Sequence, residues 1–417
     1  MTDEQNTDTT PSNAHQLRIA PLGDRTSATE PPVRVVVRGA ESSGATGPEN
    51  TDPTMADPGF YTPPELEAHH RPGDILRLRP TPTPGLPYAG PAWQVLYVSR
   101  DTYGEPIPVS GTVIASAVTQ NSTAPVVVYA PSFHGLGGDC APSQRLAAGD
   151  EPDIEQISAA LARGWYVAVP DGEGLGVEGV GPHTFLAGRV AGQVMLDLGR
   201  TAARIPALNT APGPLALWGY ADGGRAAVWA GALHPAYAPE LDLRGICAGA
   251  VVTDPGPILA LADQGRWPML ALAGLIGLAR AYKHLPLRHV FCEAARPLVA
   301  LAEEQSVEAL CQRFGHRLAT WCDRSVWDDP MWHHVFTSER LDHTVVPIVP
   351  VHLYHGTADT IVPVESGLEL ARDYQARGVP VSWIDYPADH FATRTEAIED
   401  VIAHLTSHLT TAPSNSH

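Results

Sequence analysis

The sequence predicts an α/β protein: a mostly parallel sheet flanked by helices, with a helical lid or cap inserted late in the chain. Two features carry that expectation. Short apolar runs alternate with stretches of helical periodicity through short connections, as parallel strands joined by crossover helices require. One of those runs, Ala124 to Ala130 (APVVVYA), is continuously apolar, the mark of a strand buried on both faces. At 417 residues with 44% apolar content the chain can bury a large core.

In chain order, residues 1–55 are rich in Thr, Pro, Ser and Gly and read as a disordered leader, with Val33 to Val37 its one strand-like run. Trp93 to Ser99 and Val109 to Ala117 read as antiparallel strands around the turn Asp101-Thr-Tyr-Gly104. The buried strand Ala124 to Ala130 follows, then helix Ile154 to Arg163 and strand Trp165 to Val169. Next come helix Leu186 to Arg204, strand Leu215 to Gly219, helix Asp222 to Leu233 and strand Leu243 to Val252. After a helical interruption, strand Ile348 to His355, helix Ser366 to Arg377, strand Val381 to Tyr386 and helix Arg394 to Leu409 complete the pattern. The expected organisation is a core in two parts, 56–254 and 347–410, split by a lid at 255–346 and ended by a polar tail, 411–417. The apolar run Pro268 to Ala281 is too short to span a membrane and reads as a buried or lid helix.

The formal charge of −19 argues against a nucleic-acid partner, because phosphate binding needs a basic footprint. Five cysteines, Cys140, Cys247, Cys292, Cys311 and Cys322, show no metal-ligand spacing, and no cofactor is expected. The start Met1-Thr-Asp-Glu-Gln-Asn-Thr lacks a basic n-region and an apolar h-region, so a cytoplasmic protein is expected, or a secreted one with an unusual leader. Oligomeric state leaves no signal.

The chemistry concentrates in three segments. Leu215-Ala-Leu-Trp-Gly-Tyr-Ala-Asp-Gly-Gly-Arg225 reads as strand, sharp turn and helix, with Gly219, Gly223 and Gly224 spaced as in the G-x-S-x-G-G nucleophile elbow. Its apex is Ala221, and a methyl group cannot attack a carbonyl. Asp222 cannot stand in, because it sits one residue past the apex. His355-Gly-Thr-Ala-Asp359 puts Asp359 at the edge of a strand, and Tyr386-Pro-Ala-Asp-His-Phe391 puts His390 on the next exit loop. The order elbow, acid, histidine is that of α/β-hydrolases. Asp359 would orient the imidazole and His390 would move the proton; Asp385 and Asp389 are rival acids too near His390 in sequence. An oxyanion hole would draw one backbone N–H from Asp222 and another from His134 or Gly135, in Ser132-Phe-His-Gly-Leu-Gly-Gly138.

With these residues the chain resembles the secretory lipase family, the α/β-hydrolases similar to yeast lipase A. The matching segments are Phe60-Tyr-Thr-Pro-Pro64, Arg71-Pro-Gly-Asp-Ile75, Asp139-Cys-Ala-Pro-Ser143, Glu173-Gly-Leu-Gly176, Gly219-Tyr-x-x-Gly-Gly224, Tyr237-Ala-Pro-Glu-Leu241, Gly356-Thr-Ala-Asp359 and Asp389-His390. The resemblance implies a lipase or esterase fold, a helical lid over an acyl-binding pocket, the roles given to Asp359, His390 and the His134 loop, and a disulfide between Cys140 and Cys311. The ligand expected is a hydrophobic small molecule or acyl ester, with Trp267 and Leu270 of the lid, and further Trp321, Trp327 and Trp332, as candidate lining. Three explanations of Ala221 stand open: a parent ester hydrolase or acyltransferase with serine there, a native alanine enzyme using His390 as general base in other chemistry, and a ligand-binding pseudoenzyme.

Overall fold

A computed structural model describes residues 59–119, 124–208, 213–285, 287, 290–341 and 345–410. The expected leader and tail, with Val33 to Val37, lie outside the described residues. One sheet of nine strands organises what is described: β1 (Ile75–Pro80), β2 (Ala89–Arg100), β3 (Pro106–Ser116), β4 (Val126–Ala130), β5 (Tyr166–Pro170), β6 (Leu215–Tyr220), β7 (Leu243–Gly249), β8 (Val351–Gly356) and β9 (Val381–Tyr386). Their spatial order is β1-β2-β3-β5-β4-β6-β7-β8-β9. The first three strands pair antiparallel and β3 meets β5 antiparallel, whereas every pair from β5 to β9 is parallel.

Side chains alternate between two cores, as the pleat dictates. Leu215 and Leu217 of β6 enter one apolar cluster with Val126 and Val128 of β4. Ala216, Trp218 and Tyr220 enter the other with Val127 and Tyr129. Helices α3 (Gly188–Ala202) and α4 (Asp222–Tyr237) cover the first face; α2 (Ile154–Ala162) and α12 (Ile398–Leu409) cover the second. The remaining core helices are α1 (Pro142–Ala148), α10 (Val364–Ala376) and α11 (His390–Glu396).

Between β7 and β8 the chain forms α5 (Pro255–Gln264), α6 (Pro268–Ala281), α7 (Arg296–Ala302), α8 (Val307–Arg313) and α9 (Pro330–Glu339). Proline occupies the first turn of α5, α6, α7 and α9, where its fixed φ is already helical and no N–H is missed. These helices bury a third apolar cluster, with α6 at its centre. Among the described residues no helix is long and apolar enough to cross a membrane.

The structure departs from the sequence expectations at several places. β1 is an addition to them: its segment ILRLRP interleaves arginines, which the structure uses on Gly59 O, Phe60 O and the Phe60 ring. α1, only seven residues long, is another. The strand expected from Leu243 to Val252 ends at Gly249, because Ala250 turns to φ 45°. The strand expected from Ile348 begins at Val351, and Ile348 is exposed.

Candidate active site

The turn between β6 and α4 is strained. Ala221 adopts φ 55° and ψ −112°, a conformation costing a side-chain-bearing residue on the order of 1–3 kcal/mol. The flanking glycines make it possible: a Cβ on Gly219 would strike Gly223 O, and one on Gly223 would strike Ala130 O. Ala221 N donates to Gly249 O at 2.9 Å and Ala221 O accepts from Arg225 N at 2.9 Å, so sheet and helix both fix the bend. Elbow geometry is thus present with a methyl at its apex.

Asp359 and His390 meet across the ends of β8 and β9. His390 Nδ1 donates to Asp359 Oδ2 at 2.6 Å. The other carboxylate oxygen, Oδ1, accepts from Ile361 N at 2.8 Å and Val362 N at 2.9 Å. His355, buried under the same loop, brings Nε2 to 3.4 Å from Asp359 Oδ2 and donates to Val362 O at 2.9 Å. Burial opposes ionisation of Asp359, but the hydrogen bonds from His355 and His390 prevail and hold the carboxyl far below the ordinary carboxylate range. His390 therefore carries its proton on Nδ1 when neutral, which leaves Nε2 as the basic nitrogen.

His390 is not on an exit loop, as its sequence position suggests; it is the first residue of α11. The reason is Asp389, whose Oδ1 caps that helix by accepting from Phe391 N and Ala392 N. Asp389 is thereby engaged elsewhere, and Asp385 projects from the edge strand as an exposed residue. The His390 imidazole lies 5.1 Å, centroid to centroid, from the ring of Tyr220, the neighbour of Ala221. Tyr220 in turn donates from its hydroxyl to His390 O at 2.7 Å, tying the strand before the bend to the histidine's helix.

The loop after β4 faces the same end of the sheet. A small, mainly apolar cavity is lined by Ser132, Phe133 and His134 of this loop, by Asp222 and Gly223 of the elbow helix, and by Met195 and Asp171. Ala221 and His390 do not line it. The backbone N–H groups of His134, Gly135 and Asp222 donate to no acceptor among the described residues. Gly135, at φ 142°, sits opposite Ser306 in an antiparallel bridge and does not line the cavity; Cys140 Sγ stands 2.9 Å from where its Cβ would be. Leu136 N bonds to Gln305 O and Val307 N to His134 O, so the inserted segment straps this loop in place.

Charge holds the loop from behind. The buried His134 ring donates from Nδ1 to Ser132 O at 2.6 Å and from Nε2 to Glu151 at 3.1 Å. Burial disfavours its charged form, but Glu151 outweighs that and raises the imidazole to about 8. Asp153 accepts from Tyr129 Oη at 2.8 Å, from Ser132 N at 3.2 Å and from Arg394 of α11. Asp222 and Asp171 both have carboxyls raised by burial to about 6.

Of the expected lid residues, Trp267 stands at the start of α6 with its ring 5.9 Å from the exposed Phe391 ring, beside His390. Leu270 is partly buried against the inserted cluster. Trp321 and Trp332 are buried in the packing core of the insertion, and Trp327 stacks on Phe336, so these three serve packing rather than a visible pocket. Cys140 and Cys311 are free thiols, against the expected disulfide; Cys140 instead donates to Gly137 O at 3.0 Å.

Two features lie beyond the sequence reading. His355 enters it only as part of the Asp359 segment, although a histidine four residues before that acid is the available signal. Arg225 sits in the glycine- and alanine-rich start of α4 and pairs with Glu339 at the end of α9 at 2.7 Å, both side chains essentially inaccessible. A lone arginine inside an apolar helix is the hint; its partner, 114 residues away, leaves none.

The secretory lipase family model matches residues 145–416 of the chain. A protein of Mycobacterium tuberculosis named as a probable inactive lipase is 31% identical over 386 residues, covering 87% of this chain and 84% of its own. Lipase 10 of Candida albicans is 29% identical over 378 residues, with 78% and 79% covered. Among solved structures, Candida antarctica lipase A in its closed state superposes with a TM-score of 0.76 at 22% identity, covering 86% of this chain and 87% of that one. A rice cell wall degrading esterase from Xanthomonas oryzae gives 0.69 at 16% identity, covering 81% and 99%. These neighbours share the fold, a mostly parallel α/β-hydrolase sheet flanked by helices. The chain belongs to the secretory lipase family.

Proposed function

We propose that the site receives carboxylic esters of hydrophobic acyl groups and that Ala221 removes the covalent step, leaving the chain as written inactive toward them or strongly altered. One observation carries this: a strained elbow is kept at Ala221 beside a hydrogen-bonded His390–Asp359 pair, although the apex lacks a hydroxyl. In a serine hydrolase the apex hydroxyl attacks the carbonyl carbon, the imidazole takes its proton and the acyl group is passed to water or an alcohol. Here His390 and Asp359 would serve that proton transfer, with Ala221 in the nucleophile's place. The N–H groups of Asp222 and His134 would face the developing oxyanion; they share a cavity wall that Gly135 does not line, which makes Gly135 the weaker candidate. The segment 255–346 would act as the lid, with Trp267 and Leu270 near the acyl group. No cofactor enters this chemistry. The family description favours secretion over a cytoplasmic location.

The intact dyad supports a second function as well, in which His390 Nε2 acts directly as general base on water or on a second substrate's hydroxyl. Ala221→Ser separates the two. Under the ester proposal the serine variant hydrolyses p-nitrophenyl esters and is labelled by a fluorophosphonate. A folded serine variant that does neither overturns it. Turnover by the alanine chain, abolished by His390→Ala, would establish the second function.

A further inference from the structure

On the sheet face opposite α4, α12 meets β7 and β8 through histidines. His352 of β8 is 1% exposed and stacks on His404 of α12, with ring centroids 3.7 Å apart and an interplanar angle of 12°. Its Nδ1 shares a hydrogen bond with Ser382 Oγ of β9 at 2.9 Å, and its Nε2 is buried without a partner among the described residues. His404 Nδ1 donates to Asp400 O at 2.9 Å. One turn further, His408 packs against Gly245 of β7, where a Cβ would lie 3.1 Å from the imidazole.

We propose that the His352–His404–His408 cluster is an acid-sensitive latch that holds α12 on the sheet at neutral pH and releases it on acidification. Neutral rings stack and tolerate burial; a proton on one places a charge against its neighbour, and on His352 that charge sits in a site closed to water. The charged and titratable side chains of α12 that act on His352 are His404, Asp400 and His408; Asp400 Oδ2 also accepts from Tyr386 Oη of β9 at 2.5 Å. On β9 there is Ser382 besides; on β7, the Cys247 thiol, which faces Val401 O; on β8 itself, Tyr354, stacked on His352. Burial, then the neighbouring His404, pushes His352 down from 6.5 to about 3. Burial and His404 lower His408 also.

A released helix takes up these protons at the ordinary histidine value, so docking is complete above about pH 6.5 and weakens as pH falls toward 3. For one histidine the equilibrium moves on the order of a hundredfold between pH 6.5 and 4.5. The latch stands independently of the proposed ester chemistry. Its consequence for the site runs through α11, which begins at His390 and joins α12 at Ala397.

The test is hydrogen exchange of the full chain at pH 7.5 and 4.5, corrected for intrinsic rates, comparing residues 398–409 with residues 222–237. A local readout is needed because Asp171, Asp197 and Asp222, each raised to about 6, act on global stability in the opposite direction. The latch predicts that α12 loses on the order of a hundredfold more protection than α4. It also predicts that His352→Phe combined with His408→Gln largely abolishes that excess. If the double variant does not fold, imidazole NMR of the unmodified chain decides, since His352 should remain neutral at pH 5. Equal loss in the chain and its variant, or His352 titrating near 6.5, overturns the proposal. Zinc raising the melting temperature at pH 7.5 in the chain but not in the variant would overturn it in favour of a metal site.

Discussion

Arg225→Met should detach the inserted helices from the elbow, and the structure sets the size of the effect. Arg225 Nε donates to Leu186 O at 3.1 Å and Nη1 to Val252 O at 2.8 Å, while Nη2 bonds to both the backbone and the carboxylate of Glu339. Glu339 Oε2 also accepts from Gly188 N at 2.8 Å, and Oε1 from Tyr282 Oη at 2.9 Å. One ion pair, 0% and 1% exposed, thus joins the elbow helix to both ends of the insertion. Methionine leaves a buried carboxylate without its cation and three carbonyls without this donor, a loss of about 3–5 kcal/mol. At roughly 2 °C per kcal/mol for a domain of this size, calorimetry should show the melting temperature lower by about 6–10 °C. Glu339→Gln should cost a similar amount, about 3–5 kcal/mol, because it leaves the buried guanidinium without its counter-charge and turns an amide NH2 toward a donor. Limited proteolysis of Arg225→Met should cut first within residues 255–339. A loss below about 1 kcal/mol, or cleavage spread evenly over the chain, would refute this account of how the insertion is anchored.

In an Ala221→Ser background, Asp359→Asn should lower ester hydrolysis by on the order of 10⁴-fold, because an amide cannot hold the imidazole proton on Nδ1. The Asp359 carboxylate, held low by His355 and His390, stabilises the fold above the ordinary aspartate value of 3.8 and ceases to as pH falls below it. Acid melting curves of the asparagine variant should therefore be flatter below pH 4 than those of the parent. His134, raised from 6.5 to about 8, contributes stability that is complete below pH 6.5 and lost as pH rises through 8, amounting to about 2 kcal/mol. Thermal melts should show a steeper decline from pH 6.5 to 9 in the parent than in Glu151→Gln; equal slopes would contradict the pairing.

Much of this is legible in the chain because it is local. Continuous apolar runs mark β4, β5 and β6 to within a residue or two, and α6 falls on the apolar run Pro268 to Ala281. The glycine spacing around Ala221 encodes a close contact that no other residue permits, so the elbow can be read without its serine. What escapes depends on partners distant in sequence or on local polarity that misleads. β1 hides its alternation behind Arg77 and Arg79, whose charges are spent on backbone carbonyls and an aromatic face. The start of α11 reads one turn late from sequence because Asp389 looks like a rival acid, whereas it is a cap. Trp321 and Trp332 look like pocket residues since composition does not distinguish lining from packing. The Arg225–Glu339 tie and the strap between His134 and Val307 join segments that only the fold brings together.

The most direct measurement is labelling of purified Ala221→Ser by a fluorophosphonate, with the unmodified alanine chain and the double variant Ala221→Ser, His390→Ala as controls. The account predicts rapid labelling at position 221 that is absent from the alanine chain and lost, or slowed on the order of 10³–10⁶-fold, without the imidazole. A folded serine variant that stays unlabelled would contradict it, since the bend, the dyad and the donors would then not converge on one reacting atom.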